Sequence, residues 1–510
     1  MNKADTTMQS DCCLKHKNAA VALLAANLER HPDKAAYICE DAAITYRQLD
    51  QAARNFAGLL RQRGITPGER AVIVLLDTFA FPTAFLGCLL AGVTAVAVST
   101  VLRGVDYQHI LQDSGARLLI SAPDMTLPLE AAAGNYDLLL CDEKYQFESA
   151  DPSLANQPAW QPTDDEFAFM MYSSGSTGKP KGIPHTHHDL LLPGTLVGEN
   201  IFGITANDLI FSVSKFSFAY GLINSLVFPL YFGATAVIHP GKPDPAAILK
   251  LIERHKPTVF FSVPTIYTQL ILASSSDRLE LPMRLCVSAG EALPPSIIDE
   301  WQRLTRLELV DGIGSTEMLY IFISNYPGQA RAGSAGRLVP GYSARLVDEN
   351  DTAVPPGTPG NLLVAGATSA TCYWNLPEKS AETMLADGFV RTGDVFVEED
   401  GFFYHHGRSD DMIKSGGQWV SPVPVEEALL KHPAVTECAV ASVKAGSLFK
   451  PGAFIILAPG CEQNRDLLKE LRNHMQQLLP EYMCPARYSF VSELPRTATG
   501  KIQRFMLREQ

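Results

Sequence analysis

The sequence lacks the marks of several protein classes. Its ten cysteines include no Cys-x-x-Cys pair, and only Cys12 and Cys13 are adjacent. That scatter argues against a disulfide framework or a zinc ligand set and fits a reducing, cytoplasmic compartment. Met1 to Lys17 is polar and carries acids, without the apolar core of a secretory signal. Positive charge is outweighed: 42 Lys and Arg face 55 Asp and Glu, for a net −13. This disfavours a general binder of nucleic acid or anionic membrane, but leaves room for a local basic nucleotide site. There is no internal repeat and no long low-complexity tract.

One stretch is conspicuous for missing charge. Thr78 to Leu102 carries none over 25 positions, long enough to cross a bilayer. Pro82, Gly87 and Gly92 interrupt it, however, and Val93-Thr94-Ala95-Val96-Ala97-Val98 has the pattern of a strand. A buried helix followed by a buried strand is the expectation.

With 510 residues, 46% hydrophobic and 19% charged, the chain is too long for one core. Short apolar runs (Ala71–Leu75, Leu138–Cys141, Leu209–Val213, Thr235–His239, Val259–Val263, Leu285–Ser288) alternate with helical patterns such as Tyr46–Arg63 and Pro245–His255. That alternation predicts layered α/β subdomains with covered parallel sheets. From Gly333 to Tyr404 short strands and turn clusters predict a small β-rich subdomain. From Asp410 a strand, a Gly416-Gly417 turn, helix Val425–His432, strands Thr436–Val443 and Ala453–Leu457, helix Arg465–Leu479 and strand Arg487–Val491 predict a compact α+β domain. The expected division is therefore 1–409 and 410–510.

Residues 172–182 read Tyr172-Ser173-Ser174-Gly175-Ser176-Thr177-Gly178-Lys179-Pro180-Lys181-Gly182. Glycines admit close backbone approach, and small hydroxyls with two ammonium groups supply donors to phosphate oxygens. This is not a Walker A loop, which needs Ser or Thr directly after its Lys; here Pro180 follows Lys179 and removes an N–H. The alternative is a polar surface loop. His185-Thr186-His187-His188 invites a metal reading, but no second Cys or His group accompanies it, and Thr186 reads as a helix N-cap before Asp189.

Further motifs follow in order: Ser288-Ala289-Gly290-Glu291, Asp311-Gly312-Ile313-Gly314-Ser315-Thr316-Glu317, Arg391-Thr392-Gly393-Asp394, Gly407-Arg408-Ser409-Asp410-Asp411, and Pro495-Arg496-Thr497-Ala498-Thr499-Gly500-Lys501. With the phosphate loop they resemble the signature motifs of the adenylate-forming acyl-CoA synthetase superfamily across about residues 20–508. Phe218-Ala219-Tyr220-Gly221-Leu222, Ser262-Val263-Pro264-Thr265-Ile266-Tyr267, Ser288-Ala289-Gly290-Glu291-Ala292-Leu293-Pro294 and Gly312 to Leu319 are most similar to the benzoate–CoA ligases and related aryl-CoA ligases.

The resemblance implies two steps: a carboxylate attacks the α-phosphorus of ATP to give acyl-AMP and pyrophosphate, then a thiol displaces AMP. The nucleophile is already ionised, so positioning and charge neutralisation are the main needs. It implies that Ser173, Ser174, Gly175, Ser176, Thr177, Gly178, Lys179 and Lys181 cradle phosphates. Glu317, helped by Thr177, would hold Mg²⁺; the plainer reading of Glu317 is an acid in a helix first turn. Gly290, Glu291, Asp311, Gly312, Ile313, Gly314, Ser315 and Thr316 would border the nucleotide. Asp394 would take the ribose hydroxyls and Arg408 a ribose or phosphate contact. Lys501 would bridge carboxylate and α-phosphate, the C-terminal domain would turn about Asp410, and Gly416 and Gly417 would then flank the thiol; Lys414, Lys444 and Lys450 are the cations available for the coenzyme A phosphate.

Phe218, Tyr220, Gly221, Ile313 and Tyr320 are the expected acyl pocket, an aromatic wall for an aryl acid. An aromatic core cluster is the alternative. Many family members have Tyr where this chain has Ile313. Benzoate ligases typically have His at Tyr320 and a bulkier aromatic at Ser217. Substituted benzoates, heteroaryl acids and cinnamates therefore stand beside benzoate as substrates. Two rival readings are a stand-alone enzyme that loads a separate carrier protein and a silent nucleotide-binding protein; the set Lys181, Glu317, Asp394 and Lys501 argues against the second.

Overall fold

Continuous apolar runs become strands buried on both faces. Thr94–Ala97, Thr235–Ile238, Val259–Ser262 and Leu285–Ser288 are buried at every position, as helix-covered parallel sheets require. The computed structural model describes residues 15–123, 125, 136–174, 179–274, 277–415, 418–445, 448–496 and 502–508. These fall into two units, Met1–Ser343 with Val364–Val390, and Ala344–Leu363 with Arg391–Gln510.

The first unit holds two large sheets. In one, Ala35–Cys39, Thr235–Ile238, Leu209–Ser212, Val259–Ser262, Leu285–Ser288 and Leu309–Gly314 lie side by side and parallel. Ile321–Ser324 continues the sheet antiparallel to Leu309–Gly314. In the other, Asp137–Leu140, Leu118–Ser121, Arg70–Ile73, Thr94–Ala97 and Phe167–Ser174 are parallel, and Pro180–Thr186 closes the row antiparallel. Trp301, Tyr267, Phe260 and Ile248 centre one core of this unit.

Local chemistry sets the helices. Tyr46–Gln62 starts at Thr45, whose hydroxyl and Gln48 form a reciprocal capping box. Pro245–His255 begins with Pro after Asp244, whose carboxylate accepts the Ala246 and Ala247 N–H groups. The uncharged stretch folds as expected: helix Ala80–Ala91 is buried on every side and ends at Gly92, then Thr94–Ala97 enters the sheet. Among the described residues no helix is long and apolar enough to cross a membrane.

The second unit carries most of a four-stranded sheet, ordered Tyr342–Val347, Gly360–Gly366, Val390–Glu399, Phe402–Arg408. It also holds a three-stranded sheet, Val435–Ala445, Leu448–Leu457 and Arg487–Phe490, with helices Pro422–Leu430 and Arg465–Leu478. Val425, Leu429, Val440, Ile455, Leu471 and Met475 form its core.

Candidate active site

The described residues of the phosphate-loop sequence lie on two paired strands. Phe167–Ser174 and Pro180–Thr186 pair antiparallel, with Ser173 opposite Lys181 and Ser174 opposite Pro180. A Walker A loop instead joins a strand to a helix, so the hairpin agrees with the sequence distinction. Lys179 is exposed and Lys181 half-buried. Gly175, Ser176, Thr177 and Gly178, expected here as donors, lie outside the described residues.

A tyrosine that sequence reading missed ties this hairpin to the acidic motif. Lys181 Nζ lies 4.2 Å from the ring centre of Tyr373, a cation–π distance. The Tyr373 hydroxyl donates to Glu317 Oε1 at 2.8 Å. The Ala370 N–H donates to the Glu317 carbonyl at 2.7 Å, and the Trp374 N–H to the Gly182 carbonyl at 2.8 Å. The segment around residue 370 thus straps hairpin and motif together.

Glu317 differs from one sequence expectation. It lies in the turn joining Leu309–Gly314 to Ile321–Ser324, not in a helix first turn; no helix dipole acts on it there. The Ser315 hydroxyl accepts the Met318 N–H at 3.2 Å, and the Leu319 N–H bonds the Thr316 carbonyl. His185 Nε2 donates to that same carbonyl at 2.8 Å, while stacking on Phe169. His187 Nδ1 accepts the Ala19 N–H, and burial pushes its pKa down to about 4. Two of the three imidazoles that suggested a metal, those of His185 and His187, thus make structural hydrogen bonds. Thr186 caps helix His187–Pro193 as read, in a reciprocal box with Asp189.

Three polar groups stand in one register row of adjacent parallel strands: Ser262 and Ser288, each last in its strand, and Asp311 within Leu309–Gly314. Ser262 Oγ, Ser288 Oγ and Asp311 Oδ1 are buried and have no hydrogen-bond partner among the described residues. Burial holds the Asp311 carboxyl well above the usual range. Ser262 and Ser288 stand at the carboxyl ends of their strands, where open α/β sheets bind ligands, with Asp311 beside them. Beside them Gly290 has φ 94°, and Glu291 accepts the Thr265 hydroxyl at 3.0 Å. Gly312 and Ile313 pair with Ser324 and Ile323. Gly314 needs to be glycine, since a Cβ there would stand 2.4 Å from the Tyr320 carbonyl oxygen.

The expected acyl-pocket residues include a stacked pair. Tyr220 and Tyr320 have ring centres 5.9 Å apart and planes 21° apart, and Phe228 meets Tyr320 edge-on at 5.4 Å. The Tyr320 hydroxyl donates to Asn224 Oδ1, and Asn224 Nδ2 reaches Ser212 Oγ at 3.5 Å. Asn224, also missed in the sequence, is buried in the π-helical turn Ile223–Val227, a distortion frequent at functional sites. Phe218 is half-buried at the start of helix Ala219–Leu222. Gly221 faces backbone: a Cβ would come 2.1 Å from the Lys215 carbonyl oxygen.

The second unit carries its own constellation. Asp394 lies opposite Arg408 on paired strands Val390–Glu399 and Phe402–Arg408. Arg408 Nη1 stands 3.4 Å from Asp394 Oδ1, and His405 Nε2 3.6 Å from the same oxygen. A nearly buried carboxylate is thus held between two nitrogen groups. Asp410 is exposed, and its carbonyl accepts a bond from Arg508, which also pairs with Asp411 at 2.8 Å. Lys414 lies in Ile413–Ser415 with its Nζ 5.3 Å from the ring centre of Trp419, its cross-strand partner. Gly416, Gly417 and Lys501 lie outside the described residues.

The chain matches the AMP-binding enzyme family over residues 24–374 and the AMP-binding enzyme C-terminal domain over residues 424–501. It is 41% identical to the benzoate–CoA ligase of Thauera aromatica, covering 96% of this chain and 95% of that protein. A solved anthranilate CoA ligase in complex with anthranoyl-AMP superposes with a TM-score of 0.90 at 38% identity, over 97% of both chains. A benzoate CoA ligase from Burkholderia xenovorans LB400 superposes with a TM-score of 0.88 at 40% identity, over 96% of this chain and 99% of that one.

Proposed function

The chain belongs to the AMP-binding enzyme family, among its adenylate-forming aryl-CoA ligases, and from that premise we propose how its residues divide the reaction. The protein is an AMP-forming acid–thiol ligase. With ATP it converts an aromatic carboxylic acid to acyl-AMP and pyrophosphate, and the coenzyme A thiol then takes the acyl group and releases AMP.

The observation that carries the assignment of roles is the link from Lys181 through Tyr373 to Glu317. It sets a phosphate-loop cation and a hard carboxylate on one tyrosine. Lys181, Lys179, Ser173, Ser174 and residues 175–178 hold the outer phosphates. Glu317 holds Mg²⁺, with Thr177 as helper; one carboxylate plus phosphate and water oxygens is a usual set for this ion. When bound, the ion neutralises phosphate charge.

Asp394 binds the ribose hydroxyls, steadied by Arg408 and His405. The unspent row Ser262, Ser288 and Asp311, with Gly290, Gly312 and Ile313 beside it, borders the base. Residues 410–510 act as the mobile domain, Asp410 is its pivot, and Lys501 serves the first step. Gly416 and Gly417 pass the thiol arm in the second. A bulky side chain at Gly417, as in Gly417→Trp, is expected to slow thioester formation at least about tenfold while acyl-AMP formation stays near normal; one oversized group blocks a passage but removes no charge. Stopped acyl-AMP formation with intact transfer would sink the pivot assignment.

The proposed acids are benzoate and ring-substituted benzoates. The stacked Tyr220 and Tyr320 supply a flat wall, and relatives of high coverage carry benzoate and anthranilate in their names. Pyrophosphate release across a panel of aromatic acids, with coenzyme A or a pantetheinylated carrier protein as acceptor, tests this. Release should follow an aromatic acid and turn over with coenzyme A. Turnover with the carrier alone would assign the enzyme to carrier loading, and ADP in place of AMP would overturn the reaction.

A further inference from the structure

The turn that presents Phe218 and Tyr220 is held by two charged side chains outside the nucleotide constellations, a buried Asp77 and a half-buried Lys215. Asp77 is buried, in the loop after strand Arg70–Ile73. Desolvation raises its carboxyl to about 6, and the Lys215 ammonium is the charge that holds it from rising further. Lys215 Nζ also donates to the His239 carbonyl and, at 2.8 Å, to the Gly241 carbonyl. One side chain therefore joins the turn at 214–221 to the loop after strand Thr235–Ile238.

The next residue is fixed as firmly. The Phe216 N–H points at Asp77 Oδ1, 3.4 Å away. Its ring stacks on Phe81 at 4.7 Å with planes 5° apart, and meets Tyr37 edge-on at 6.3 Å. From this anchor the chain turns tightly. The Phe218 N–H donates to the Lys215 carbonyl at 3.0 Å. Gly221 packs so closely on that carbonyl that no Cβ fits. The Lys215 backbone thus sets where Phe218 and Tyr220 stand, while its side chain and Asp77 set where the Lys215 backbone stands.

We propose that Asp77 and Lys215 are positioning residues for the aryl acid, acting through the turn that carries Phe218 and Tyr220. The proposal rests on the reading of those two aromatics as the acyl wall. Neither Asp77 nor Lys215 is assigned a contact with ATP, so the effect should fall on one substrate. A displaced turn blurs the acid's fit, and misplacement on the ångström scale weakens a site severely.

The test measures KM for the aryl acid and for ATP separately. Lys215→Met should raise KM for the acid about tenfold or more, with KM for ATP within about twofold. Lys215→Arg, which keeps donors for both carbonyls and a charge for Asp77, should restore much of the loss. A general packing defect would move both KM values and would not respond to arginine. Parallel changes, or none, overturn the proposal. If Lys215→Met does not fold, Asp77→Asn takes its place, with the same split expected and the same results overturning it. Tyr220→Ala is the control: if it leaves KM for the acid unchanged, the wall reading fails and the proposal falls with it. If Tyr220→Ala raises that KM and neither pin variant does, the proposal alone fails.

Discussion

Lys501→Ala is expected to lower acyl-AMP formation by about 10²–10³, the usual cost of removing one preorganised charge from a developing transition state. Thioester formation from supplied acyl-AMP should persist near the native rate. The asymmetry follows from the charges. In the first step a carboxylate meets a polyphosphate, and an ammonium between them offsets like-charge repulsion as the new bond forms. In the second step the nucleophile is a thiol and the leaving group is already a bound nucleotide, so the same ammonium has less to do. Pyrophosphate release reads the first half-reaction and thioester absorbance the second. Equal loss in both would remove Lys501 from its role and leave it a structural residue.

Glu317→Gln should reduce pyrophosphate release about 10²-fold at a fixed Mg²⁺ concentration and raise the Mg²⁺ concentration needed for half-maximal rate. The substitution is gentle on the fold. A glutamine oxygen still accepts the Tyr373 hydroxyl, and the bond from the Ala370 N–H goes to the backbone carbonyl, which is unchanged. What disappears is the negative charge, and with it the preference for a hard divalent ion. A melting temperature close to native, together with the shifted Mg²⁺ curve, would assign the loss to the ion. An unshifted curve would mean that Glu317 only braces the turn.

Much of the architecture could be read because its causes are local. Helix Pro245–His255 has its bounds written in Asp244, Pro245 and the apolar period. Leu285–Ser288 is a strand because a short apolar run has nowhere to go but a covered sheet. The order of motifs was legible for the same reason, since each is a few consecutive residues. Contacts between distant segments were not. Tyr373 lies 56 residues from the carboxylate it bonds, and His185 lies 131 residues from the Thr316 carbonyl; nothing in Thr371-Cys372-Tyr373-Trp374 announces either strap. An acid such as Glu317 also suits a helix first turn, whereas here the Ser315 hydroxyl closes a turn. Nor could the sequence separate Val364–Val390 from its neighbours: that stretch packs with the first unit while the strands flanking it pack with the second. Nothing local marks Asp77 or Lys215 either, since Asp77 is buried and Lys215 bonded only through segments far apart in the chain.

The strap across the hairpin has a second consequence. Pro180–Thr186 is the last strand of its sheet, and a terminal strand offers bare N–H and C=O groups to any passing chain. The Trp374 N–H occupies the Gly182 carbonyl, and His109 occupies that of Pro180. The residues that brace the two strands thereby also shield the molecule from adding strands of its own kind, so loosening the strap is expected to cost solubility.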